Sequence, residues 1–73
     1  MEIRVGGRYR YKVGEYIVNT YFRIESFDGT KFIGRSDNWC EAIWYFNASG
    51  EQIGTELSPD SGASSVRLVL EDR

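Results

Sequence analysis

The chain has no histidine and a single cysteine, and each shortage removes a class of chemistry. Without an imidazole, the usual pairing of a serine or cysteine nucleophile with a histidine base is excluded, and no Ser-x-x-Lys spacing replaces it. Cys40 alone cannot form an intrachain disulfide, and a closed zinc site lacks its nitrogen and sulfur ligands. No metal site and no cofactor are therefore expected, and an intracellular, reducing compartment, the cytoplasm, is the consistent location. Long hydrophobic runs are also missing. No apolar stretch approaches the roughly 20 residues of a membrane-spanning helix, and the segment Met1 to Gly7 lacks the apolar block of a signal peptide, so no membrane partner is expected. Each glycine marks a turn or a strand end, and none stands in the Gly-x-x-x-x-Gly-Lys arrangement that cradles phosphate.

What remains is a short, aromatic-rich chain. Seventy-three residues form one domain, 1–73, which buries only about 60% of its unfolded surface, so every large apolar side chain matters. An apolar share of 41% with 15% aromatics is too high for a disordered tail. The net charge of −2 conceals an asymmetry: positions 1–35 carry seven basic and four acidic residues, positions 36–73 two basic and seven acidic. Such halves either orient a binding partner or neutralise each other as neighbouring strands. An acidic chain is a poor nonspecific DNA binder.

Period-two alternation runs through the sequence. Arg8 to Val13 places Tyr9, Tyr11 and Val13 on one face and Arg8, Arg10 and Lys12 on the other, as in a half-buried strand. Tyr16 to Phe27 is dense in β-formers and reads as a long strand, bulged near Asn19-Thr20. One face holds Tyr16, Val18, Phe22 and Ile24, the other Ile17, Tyr21 and Phe27. Asp28-Gly29-Thr30 is a turn, from which Lys31 to Arg35 returns as a third strand. After a loop at Ser36 to Asn38, Trp39 to Phe46 forms an aromatic strand that ends in the turn Asn47 to Gly50, and Glu51 to Gly54 pairs back. Positions 55–65 read as a flexible polar loop, and Val66 to Leu70 as a last strand with Val66, Leu68 and Leu70 inward. Short strands, turns at close spacing and no helix predict an all-β fold: a small SH3-like barrel or rolled antiparallel sheet of about five to six strands. Trp44 and Phe46 are expected in its core with Tyr9, Tyr11 and Leu68.

The order of Val5-Gly6-Gly7, the hairpin Trp44-Tyr45-Phe46-Asn47-Ala48-Ser49-Gly50, the loop Ser58-Pro59-Asp60 and the end Leu68-Val69-Leu70-Glu71-Asp72 resembles a loose class of short phage and prophage proteins of unknown function. The resemblance implies a phage or prophage origin and brings no activity with it. The uninterrupted segment from Tyr16 to Phe27 departs from that class.

The remaining chemistry is that of surfaces. Cys40 beside Glu41 reads as an inert strand cysteine, because an acidic neighbour raises a thiol pKa, and the carboxylates Asp37, Glu41, Glu51 and Glu56 read as a solvated face. One small core cannot hold both faces of the aromatic strands. Ile17, Tyr21, Trp39, Ile43 and Tyr45 are therefore the candidate partner-binding residues, exposed unless the 55–65 loop folds over them. The expected function is a small non-enzymatic protein-interaction module, a phage or prophage accessory protein that binds a host protein or itself as a homodimer. The alternative is a nucleotide or nucleic-acid binder in which Arg8, Arg10 and Lys12, extended by Arg4 and Arg23, contact phosphates while Tyr21 and Tyr45 stack bases.

Overall fold

The computed structural model describes residues 2–36, 42–62 and 65–72. Six strands order them: β1 (Arg8–Val13), β2 (Tyr16–Phe27), β3 (Phe32–Ser36), β4 (Ile43–Phe46), β5 (Gln52–Thr55) and β6 (Val66–Asp72). No helix occurs among the described residues. All six belong to one antiparallel sheet in the order β5-β4-β3-β2-β1-β6, a meander from β1 to β5 after which β6 returns to the free side of β1. The all-β prediction holds. The sheet is a curled half-barrel, consistent with a small SH3-like barrel or rolled sheet.

The curl has a local cause. Register shifts interrupt the β1/β2, β1/β6, β2/β3 and β4/β5 ladders, and each extra residue adds twist and bends its strand. The two edges, β5 and β6, then meet at one place, where Glu51 and Arg67 form an isolated bridge and Leu68 N–H donates to the Gly50 carbonyl at 2.7 Å. An ion pair from the Arg67 guanidinium to Glu51 Oε2 at 3.4 Å spans the same seam. Both partners lie within positions 36–73, so this pair leaves the charge asymmetry between the two halves of the chain as it is.

Inside the curl, Ile3, Tyr9, Tyr11, Phe22, Ile24, Phe46, Val66 and Leu68 are buried, with Val18, Phe32 and Trp44 packed against them. The rings interlock edge to face and by stacking: Phe22 lies 4.6 Å from Trp44, stacked, and 5.6 Å from Phe46 at 70°. Such geometry sets positive ring edges against negative faces and adds to the burial term. Tyr9 has no exposed surface, and its hydroxyl accepts the Arg4 backbone N–H at 3.0 Å, so the phenol is not buried unpaired. Burial also pushes the Tyr11 hydroxyl pKa upward.

Several boundaries differ from expectation. Ser36, expected to open a loop, is a buried strand residue whose N–H donates to the Ala42 carbonyl at 2.9 Å. Trp39, Cys40 and Glu41 lie outside the described residues. Tyr16, expected inward with Val18, is 72% exposed because it flanks the β1–β2 turn beyond the core. Phe27, expected opposite Phe22, shares its side: the extra residue Glu25 flips the alternation, and Phe27 pairs with Phe32, ring centres 4.6 Å apart.

Candidate functional site

The outer face of β1 carries Arg8, Arg10 and Lys12 because Tyr9 and Tyr11 turn inward. What those cations meet depends on register. The tight turn after Val13 pairs Val13 with Tyr16, Lys12 with Ile17 and Tyr11 with Val18. Asn19 and Thr20 then bulge, and the ladder resumes with Arg10 opposite Tyr21 and Arg8 opposite Arg23. An insertion of two residues keeps every side chain on its face but slides the partners along it.

Tyr21 consequently lies beneath two guanidinium groups. Arg8 Cζ is 4.0 Å from its ring centre and Arg10 Cζ is 5.3 Å, while Arg10 Nε donates to its hydroxyl at 3.1 Å. Cation–π stacking engages the guanidinium face, and the in-plane N–H groups are the ones that bind anions. One strand further, Arg23 is in register with Arg35, and Arg35 with Ile43. Arg8, Arg23 and Arg35 therefore form a row directly across β1, β2 and β3. Like charges in register oppose sheet formation. Glu25 offsets part of this, its two carboxylate oxygens each 3.2 Å from Arg35 Nε, and Arg8, Arg23 and Arg35 each have further interactions within the chain.

The next row toward β5 is apolar. Ile33 pairs with Tyr45, and Tyr45 with Gly54. Gly54 is glycine for a packing reason, since a Cβ there would collide with the Pro59 carbonyl, and Gly62 lies equally close to Gln52 and Ile53. The segment after β5 thus folds back over β5 beside Tyr45, which partly covers the second face as one sequence reading anticipated. Lys31 Nζ stands 5.0 Å over the Tyr45 ring and 2.8 Å from Asp28 Oδ2. The Lys31 contact, with N–H groups of Thr30 and Lys31 and the Thr30 hydroxyl, holds the Asp28 carboxyl far below its ordinary value, and Asp28 in turn raises Lys31.

The sequence-derived candidates are thereby redistributed. Tyr21 joins Arg8 and Arg10, so a residue expected on a protein-binding face and two expected to hold phosphate share one site. Ile43 and Tyr45 flank it through Arg35 and Ile33 and are half-buried. Ile17 is separate, 45% exposed at the hairpin end, opposite Lys12. Trp39 is outside the described residues. Sequence reasoning missed Arg35 and Lys31; the turn at Asp28 signalled a hairpin, but only the bulge at Glu25 sets Arg23 against Arg35.

Other sites are sparse. A shallow groove of about 270 Å³ at the seam is lined by Asn47, Glu51, Gln52, Ile53 and Gly62. Among the described residues, no group of three His, Cys, Asp or Glu side chains is placed to hold a metal ion, and no helix is long and apolar enough to cross a membrane. Comparison with protein families, curated proteins and solved structures finds no match to this chain.

Proposed function

We propose that this chain is a small non-enzymatic interaction module that binds a protein partner, or a second copy of itself, through the outer face of β1, β2 and β3. The observation that carries this reading is the packing of Arg8 and Arg10 on Tyr21 at the solvent side of the sheet. Tyrosine and arginine are the residue types that concentrate binding energy at protein interfaces, and here each restricts the other's rotamers before a partner arrives. The face needs no cofactor and no catalytic group. A cytoplasmic setting and a phage or prophage accessory role fit this reading.

A photoreactive amino acid in place of Tyr21, compared with the same group in place of Leu57, tests it. Leu57 is 92% exposed in the segment after β5, outside the row of Arg8, Arg23 and Arg35, and serves as the control. The expected result is a discrete crosslinked species from position 21 in the cells that express the protein and none from position 57. Equal crosslinking from both positions counts against the reading.

The second reading, a nucleotide or nucleic-acid binder, draws on the same guanidinium groups. Because Arg8 covers the Tyr21 ring, a base would stack on the guanidinium plane rather than on the tyrosine. Lys12 contributes little to such a site, being opposite Ile17 and Arg67 at the other end of β1.

A further inference from the structure

We infer that the partner segment recognised by this face is an extended acidic peptide with interspersed apolar residues, lying across the strands from Arg8 to Ile43. The inference rests on the interaction-module reading above and adds the chemistry of the partner. Three arginines in register across β1, β2 and β3 concentrate positive charge along a line that crosses the strands at about 4.8 Å per step. The line ends on Ile43, and the adjacent row presents Ile33 and Tyr45. From Arg8 to Ile43 is three strand spacings, roughly 14 Å, which an extended segment of about five residues covers.

Carboxylates suit this line better than phosphates. Glu25 already lies against its third arginine, with both oxygens 3.2 Å from Arg35 Nε, so that guanidinium accepts a carboxylate while the site carries a negative charge of its own. That charge and the overall −2 of the chain oppose either kind of anion, but a continuous phosphate backbone has nothing apolar to set on Ile43 and Ile33. An acidic peptide with leucine or isoleucine an even number of residues from its glutamates, on the same side of the extended segment, places both kinds of side chain. Arg8, Arg23 and Arg35 are each engaged within the chain, so incoming carboxylates exchange with internal contacts, and binding is salt-sensitive.

The test is a chemical-shift titration of the intact chain with a synthetic Glu/Leu peptide and, separately, with an oligothymidylate of equal charge. The expected result is that the peptide moves signals of Arg8, Tyr21, Arg23, Arg35 and Ile43, that the affinity falls with salt, and that Arg23→Glu weakens it about tenfold or more. Arg23→Glu replaces two like-charged pairs with two opposite ones but also removes the internal contact of Arg23, so the melting temperature of the variant is measured beside the titration, and a folded variant with weakened binding separates lost binding from lost folding. Tighter binding of the oligothymidylate, or no shift of these residues with either ligand, overturns the inference. A discrete crosslink from position 21 to a neutral or basic protein preserves the module reading while refuting this one.

Discussion

The Arg8 guanidinium stacks 4.0 Å above the centre of the Tyr21 ring, although a regular continuation of the β1–β2 hairpin would set Arg8 directly opposite Tyr21 rather than opposite Arg23. The bulge at Asn19-Thr20 moves Tyr21 beside Arg10 instead, and the two arginines then reach the same ring from the same strand. One aromatic side chain thereby orders two long cations that would otherwise sample many rotamers.

Removing the ring should release both. Tyr21→Ala is expected to lower stability by on the order of 1 kcal/mol and to bring the Arg8 and Arg10 side-chain signals toward free-arginine dynamics. Tyr21→Phe keeps the stack and loses only the hydrogen bond to Arg10, so Arg8 should stay ordered while Arg10 loosens. Nitrogen relaxation at the two Nε positions reads the difference, and identical behaviour of the two variants would contradict the geometry.

Gly34 and Phe46 form a coupled pair in the core. A Cβ on Gly34 would stand 2.9 Å from the Phe46 ring and 3.2 Å from Ile24 Cδ1. Gly34→Ala should cost about 1–3 kcal/mol by overpacking. Phe46→Leu opens space, so the double variant should be more stable than the sum of the two losses allows, a non-additivity measurable by urea denaturation.

Asn47 organises the β4–β5 turn. Its Oδ1 accepts the N–H groups of Ser49 and Glu51, both at 3.0 Å, and its Nδ2 donates to Glu51 Oε1 at 3.0 Å. Gly50 completes the turn at φ 89°, where a side chain is strained. Asn47→Asp keeps the acceptor but turns the donor contact into a repulsion with Glu51. The expected melting temperature lies below wild type at low salt and closer to it at high salt, which screens the repulsion. Equal deficits at both salt concentrations would show that the Glu51 contact is unimportant.

The Asp28 turn predicts an acid dependence. Its carboxyl is depressed in the folded chain, so its stabilising contribution is complete above the ordinary aspartate value near 3.9 and declines as pH falls below it. Lys31 is shifted the other way, and its contribution is lost as pH rises beyond about 10.5. Thermal melts of Asp28→Asn should therefore show a flatter acid limb than wild type and little difference in shape between about pH 5 and 8. Parallel acid limbs would remove Asp28 as a source.

Much of the fold is legible in the sequence because its signals are local. Alternation from Arg8 to Val13, the turns at Asp28 and Asn47 and the apolar period of Val66 and Leu68 each depend on a few neighbouring residues. Even the bulge at Asn19-Thr20 shows as a polar break in an apolar strand. Its size does not, and the candidate site depends on that size: with two residues inserted Arg10 meets Tyr21, whereas with none it would face Asn19. The position of Phe27 likewise turned on the single residue Glu25, a charged side chain in a strand that gives no sign of being surplus. Nor does composition reveal that Gly54 yields its space to the Pro59 backbone, a contact between residues that only the loop's path brings together.

The seam at which β6 meets the start of β5 bears on how the chain is made. β1 through β5 can pair as each strand follows its neighbour, but the outer edge of β1, with Tyr9 and Tyr11 behind it, stays open until Val66 to Leu68 arrive from far along the chain. On the ribosome, a nearly finished sheet therefore exists with one edge of a tyrosine-bearing strand unprotected. Pairing across so long a separation is slow, and the interval before it is the time at which chaperone capture or strand exchange between nascent chains competes with folding.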